Sequence, residues 1–146
     1  MSTTLKSVLY VEDSEDAQSL FKQFAAICQR VFEGEVEFVE ALSLEAGNKL
    51  VSERTFDAVV LDPDLPDSGR TFTIAKIPAL KKKWKLPIFV LTGSQELDLR
   101  ERCLNLGADE YEMKQVALKA DACIMARIFN MVIRFRRDHH AAAPKP

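Results

Sequence analysis

Along the chain the spacing of apolar residues changes repeatedly between two periods. Residues 7–11, SVLYV, are a short unbroken apolar run, the pattern of a strand covered on both faces. In residues 14–32, SEDAQSLFKQFAAICQRVF, the apolar positions Leu20, Phe24, Ile27 and Val31 recur at spacings of four, three and four. That spacing predicts a helix with this stripe turned inward and Ser14 or Asp16 as its cap. A second strand over 36–41, a helix over 43–53 opened by Ser43, and a third strand over 56–62 follow. Residues 70–84 read as a weaker helix in which Pro78 starts or breaks a turn. Residues 87–93 read as strand, 94–107 as a helix ending at the Gly107 cap signal, 109–113 as a short strand and 116–137 as a long last helix.

This order is (βα)5. Parallel strands need crossover connections, so the expectation is an α/β, doubly wound, five-stranded parallel sheet with helices on both faces. In such a sheet the site lies outside the carboxyl ends of the strands. The residues there are Glu12 and Asp13 after the first strand, Asp62 and Asp64 after the third, Thr92 and Gly93 after the fourth, and Lys114 after the fifth.

Composition narrows the class without naming a partner. The 146 residues are 47% hydrophobic and 29% charged with a net charge of -2, which fits one globular domain and gives no basic surface for nucleic acid. The start, MSTTLKS, is polar, and no apolar run approaches the roughly 18 residues that span a bilayer, so no membrane association and a cytoplasmic location are expected. Cys28, Cys103 and Cys123 lack a CxxC spacing or a nearby histidine pair and read as buried thiols. The KKKWK run at 81–85 reads as a solvated helix end, Asp67 as turn chemistry, and residues 139–146 as a flexible tail after a domain over 1–138.

Carboxylates that converge at strand ends repel one another unless a cation sits among them. Oxygen ligands without histidine or thiolate suit Mg²⁺. An aspartate beside such an ion, with a lysine amine and a threonine hydroxyl across the pocket, is equipped to attack a phosphoryl group and to hold the resulting charge. Asp62 is then the nucleophile, and its acidic neighbours hold the metal.

Four segments in order resemble the receiver domain of two-component response regulators, the CheY-like family, over residues 7 to 136. YVEDSED is similar to the family's acidic pair, VVLDPDLPDSG to its phosphoacceptor segment, IFVLTGS to its hydroxyl position, and GADEYEMK to its last strand. The resemblance implies a flavodoxin-like fold and a single-domain response regulator that takes a phosphoryl group from a histidine kinase on Asp62. It implies Mg²⁺ held by Asp13 and Asp62, by the Asp64 backbone carbonyl and, through water, by Glu12. Lys114 is implied to pair with the phosphoryl group. Thr92 and Tyr111 are implied to move together, biasing a surface for a downstream protein target made by residues 94–107, 109–113 and 116–137. Such a protein catalyses only its own aspartyl phosphorylation and dephosphorylation.

The chain departs from the family pattern in two places. Gln115 follows Lys114 where the family has proline, which favours a trans peptide there. Gly69 follows Asp62 by seven positions where the family has eight, and Pro63 directly follows the acceptor, so the loop is shortened. Two other readings compete: a receiver-like scaffold that is never phosphorylated, and a DxD-type phosphatase using Asp62 and Asp64. The phosphatase signature belongs on a first strand, whereas DPD here ends the third. A dinucleotide site fits less well still, because the turn VEDSED has no glycine and its acidic residues would repel a pyrophosphate.

The last helix carries more apolar positions than one sheet contact needs. Leu118, Ala122, Met125, Phe129 and Val132 suffice to cover the sheet, leaving Ile124, Ile128, Met131 and Phe135 at spacings of four, three and four. The expectation is that this second stripe forms a homodimer seam, or is covered by a neighbouring helix of the same chain.

Overall fold

The computed structural model describes residues 5–29, 36–66, 68–119 and 122–141. Five strands, β1 (Ser7–Val11), β2 (Glu37–Ala41), β3 (Ala58–Leu61), β4 (Ile88–Thr92) and β5 (Glu110–Met113), form one parallel sheet in the order β2-β1-β3-β4-β5. The order reverses between β1 and β3, because the chain leaves β1 toward one edge and proceeds from β3 toward the other. That reversal opens a crevice at the carboxyl ends of these two strands.

The apolar runs become strands because alternate residues feed two cores. Val8, Tyr10, Ala58, Val60, Phe89 and Leu91 face one side, packed with residues of α1 (Glu15–Gln29) and α7 (Ile124–Ala141). Leu9, Val11, Val59, Leu61, Ile88 and Val90 face the other, against α2 (Leu44–Glu53), α3 (Arg70–Ala75), α4 (Ile77–Trp84) and α5 (Leu99–Asn105). Ser43 caps α2 by accepting from the Ala46 amide at 3.1 Å. Pro78 sits in the first turn of α4, so it starts a helix and divides residues 70–84 into two. Gly107 takes φ +113° after α5, and the Ala108 amide turns back to the Cys103 carbonyl at 3.0 Å. Asp57 ties the opposite end of the sheet together, accepting from the Lys6 and Ser7 amides at 2.7 and 3.0 Å and from Arg136 of α7 at 2.6 Å.

Several expected elements are redrawn. The helix expected from Ser94 begins at Leu99, because the Ser94 and Glu96 amides bond to the side chains of Thr92 and Ser94 at 3.1 and 3.2 Å and a turn wins locally. The last helix is two pieces, the single turn α6 (Lys114–Ala117) and then α7, whose first turn is closed by the Cys123 sulfur accepting from the Ala126 amide at 3.4 Å. The helix α7 runs to Ala141, past the point where a tail was expected to begin. On α1 the inward face is Gln18, Phe21 and Ala25, with Phe24 packed beside them, whereas Leu20 is 45% exposed. The helix is rotated by one position because Gln18 turns in to bond the Glu12 carbonyl at 2.6 Å and Phe21 stacks on Tyr10. Val31, Asp67 and the side chains of Ile27 and Cys28 lie outside the described residues. Cys103 is buried, but Cys123 is only half-buried. Within KKKWK, Lys81 is not a solvated lysine: it pairs with Asp109, while Trp84 is buried and donates to Asn48 at 2.8 Å.

The dimer seam is corrected as well. Ile124, Ile128 and Met131 are 0–1% exposed and belong to the same core as Met125 and Val132. Ile124, Met125, Ile128, Met131 and Val132 of α7 form one broad face, because the helix packs in the angle between the sheet and α1 and needs apolar residues toward both. Phe135 lies half-buried outside that core, beside Lys81 and the His139 ring. Among the described residues no helix is long and apolar enough to cross a membrane.

Candidate functional site

Three strand ends bring the chemistry together. Glu12 directly follows β1, Asp62 directly follows β3 and Lys114 directly follows β5, so parallel strands in register deliver all three to one edge. Lys114 Nζ donates to Asp62 Oδ2 at 2.6 Å and to Glu12 Oε2 at 2.9 Å. Asp62 Oδ1 accepts from the Asp64 amide at 2.8 Å. Glu12 and Asp62 are 2% and 3% exposed, so each charge here must be balanced by a neighbour.

Burial raises Glu12 to about 8, and the adjacent Asp62 charge pushes the same way, against the pull of Lys114. Burial also acts to raise Asp62, but hydrogen bonds from Glu12, Lys114 and the Asp64 amide outweigh it and hold the carboxyl below the usual range. Of the two carboxyls, Glu12 therefore holds its proton the more readily and Asp62 ionises first. Burial acts to lower Lys114, yet its two carboxylate partners raise it, so it stays an ammonium. The Tyr10 hydroxyl is buried nearby with no hydrogen-bond partner among the described residues, and burial, then the charges of Glu12 and Asp62, raise its pKa.

The other expected residues lie around this triad at different depths. Thr92 ends β4 fully buried, and its hydroxyl lies 3.4 Å from Asp64 Oδ2. Gly93 leaves open space where a side chain would stand, which keeps the mouth beside Thr92 clear. Tyr111 is 4% exposed, directed into the core against α5, and burial raises its pKa. The described residues contain no cis peptide, and Gln115 Nε2 donates to the Gly93 carbonyl at 3.3 Å.

The carboxylates expected around one ion are not gathered into one cluster. Among the described residues no three acidic, histidine or cysteine side chains stand together as a metal site. Asp13 is exposed, and Asp64 turns its side chain to Arg70 and Thr92. Lys114 alone pairs with the two buried carboxyls, and a third carboxylate buried beside them would need further positive charge. The donor set still fits a hard divalent cation: the groups are oxygen donors, Asp62 is the readier anion, and Asp13 is exposed beside Glu12 at the end of β1.

Arg70 and Gln18 are site residues that the pattern does not announce. Arg70 Nε donates to Asp64 Oδ1 at 2.7 Å, and Gln18 braces the Glu12 backbone. Both read as ordinary polar positions on amphipathic helices, and each gains its role from the way a strand-to-helix loop folds back on a residue six positions earlier.

Comparison with known proteins agrees with this geometry. The chain is 38% identical over 77 residues to the transcriptional regulatory protein BasR of Escherichia coli K12, covering 53% of this chain and 31% of that protein. A CheY-like response regulator receiver domain from Methanospirillum hungatei JF-1 superposes with a TM-score of 0.69 at 26% identity, over 92% of this chain and 99% of that one. The receiver domain of a sensor histidine kinase from Pseudomonas aeruginosa PAO1, described with magnesium in its active-site cleft, shares the fold with a TM-score of 0.64 at 20% identity, over 88% and 98% of the two chains. The response regulator receiver domain model matches residues 8–123, and with the strand-end triad of Glu12, Asp62 and Lys114 in place, this chain belongs to the response regulator receiver domain family.

Proposed function

We propose that the protein accepts a phosphoryl group on Asp62 from the phosphohistidine of a histidine kinase and signals through a protein-binding surface that responds to it. The observation that carries this reading is the pairing of Lys114 Nζ with Asp62 Oδ2 at 2.6 Å, at the mouth where Thr92 and Gly93 meet. The Asp64 amide on Oδ1 and Lys114 on Oδ2 hold the Asp62 carboxylate in one orientation, from which it can attack a phosphoryl donor in line. Lys114 then follows the new negative charge. Thr92 can turn its hydroxyl from Asp64 to a phosphoryl oxygen, and Tyr111 can follow into the space it leaves. The responding surface is α5, β5 and α7.

Asp13 and Asp62, the Asp64 backbone carbonyl and, through water, Glu12 would hold Mg²⁺, as the magnesium described in the Pseudomonas receiver domain supports. When bound it would neutralise charge on the transferring oxygens. The unpaired thiols Cys103 and Cys123 suit a reducing compartment, and we place the protein in the cytoplasm. The test is mass spectrometry after incubation with acetyl phosphate and Mg²⁺. One added phosphoryl group, lost in Asp62→Asn and blocked by EDTA, is the expected result, and labelling that persists in Asp62→Asn overturns it.

A further inference from the structure

Asp64 stands two positions after the acceptor, and its carboxylate pairs with Arg70 rather than with Lys114. Its amide bonds Asp62 Oδ1, and its own carboxylate stands between Thr92 Oγ1, at 3.4 Å from Oδ2, and Arg70 Nε, at 2.7 Å from Oδ1. Arg70 opens α3 and also reaches Glu96 of the β4–α5 loop at 3.4 Å, and Glu96 accepts from Arg102 of α5 at 3.1 Å. A phosphoryl group on Asp62 brings about two negative charges up to the Asp64 carboxylate. Lys114 is already shared between Asp62 and Glu12, so the charge that offsets Asp64 is Arg70.

We propose that Arg70 is a positioning residue for phosphoryl transfer, neutralising Asp64 so that a dianionic phosphodonor can approach Asp62 and fixing the carboxylate from which Thr92 must part. The proposal rests on Asp62 being the acceptor. In the step itself an Asp62 oxygen forms the bond to phosphorus, the bond from phosphorus to the donor oxygen breaks, and with acetyl phosphate the acetate leaves with that electron pair. Arg70 exchanges no proton. The Arg70 and Asp64 side chains are 39% and 36% exposed, so the pair contributes little to stability and its removal leaves the fold in place.

The experiment measures the rate of labelling by acetyl phosphate with saturating Mg²⁺ in the parent chain, Arg70→Ala, Arg70→Lys, Asp64→Asn and the double variant Arg70→Ala with Asp64→Asn, at low and at physiological salt. Thermal unfolding of each, without Mg²⁺, is followed alongside. Arg70→Ala should slow labelling about tenfold at low salt and less at higher salt, as a charge effect at this range requires. Arg70→Lys should recover most of the rate, and the double variant should label at the rate of Asp64→Asn alone, with all melting temperatures close to the parent. Equal rates for the parent and Arg70→Ala, or a double variant as slow as Arg70→Ala, overturn the role of Arg70. A parent chain that does not label at all overturns the acceptor reading and this proposal together, so the two failures are told apart.

Discussion

Lys114 Nζ stands 2.6 Å from Asp62 Oδ2, joining residues from the ends of β5 and β3 across the carboxyl edge of the sheet. The same ammonium reaches Glu12, so one cation serves two buried carboxylates. Lys114→Ala should lower the labelling rate about a hundredfold, the cost of losing one preorganised donor at a site of developing charge. Lys114→Arg should not restore it, since a planar guanidinium cannot take the place of a compact ammonium between two carboxylates. Quenched-flow labelling checks both.

Glu12 makes stability depend on pH. Its folded pKa is about 8 against the usual 4.5, so between these values the folded chain holds a proton that the unfolded chain has released. Stability contributed in this way is fully present below about 4.5 and is lost as pH rises through about 8. The slope should not exceed about 1.4 kcal/mol per pH unit, the value for one proton. Urea unfolding with EDTA from pH 5 to 9 should show the fall, and Glu12→Gln should flatten it.

Ile128 and Phe135 should respond differently to the same substitution. Ile128→Glu places a carboxylate in the core between α7, α1 and the sheet and should cost about 4 kcal/mol or more, enough to unfold the chain. Phe135→Glu, at a half-buried position outside that core, should leave a folded protein. Circular dichroism melting separates the two outcomes, and a well-folded Ile128→Glu variant would contradict the packing of α7.

Asp57 serves two backbone amides and Arg136 at the end of the sheet away from the site. Asp57→Ala leaves these donors without their acceptor and should destabilise by about 1–3 kcal/mol. Labelling of Asp62 should be unaffected while the chain stays folded. Urea denaturation and the acetyl phosphate assay together test that separation.

The alternation of strand and helix, the parallel sheet and the residues at its carboxyl edge were all legible in the sequence. Unbroken apolar runs as short as SVLYV, alternating with helical stripes, suit strands covered on both faces, and parallel topology forces their ends onto one edge. Ser43 and Pro78 likewise act within a single turn of chain, so local spacing suffices to place them. The partners of each charge were decided by the tertiary structure. Whether Lys81 faces water or Asp109 depends on segments far apart in sequence that approach within 3 Å, and whether Asp64 turns to a metal or to Arg70 depends on how the loop between β3 and α3 folds. The inward faces of α1 and α7 were undecided for a related reason. Periodicity shows that a helix has an apolar stripe, but the width and rotation of the buried face follow from what packs against it, here Tyr10 against Phe21 on α1 and the sheet with α1 against Ile124, Ile128 and Met131 on α7.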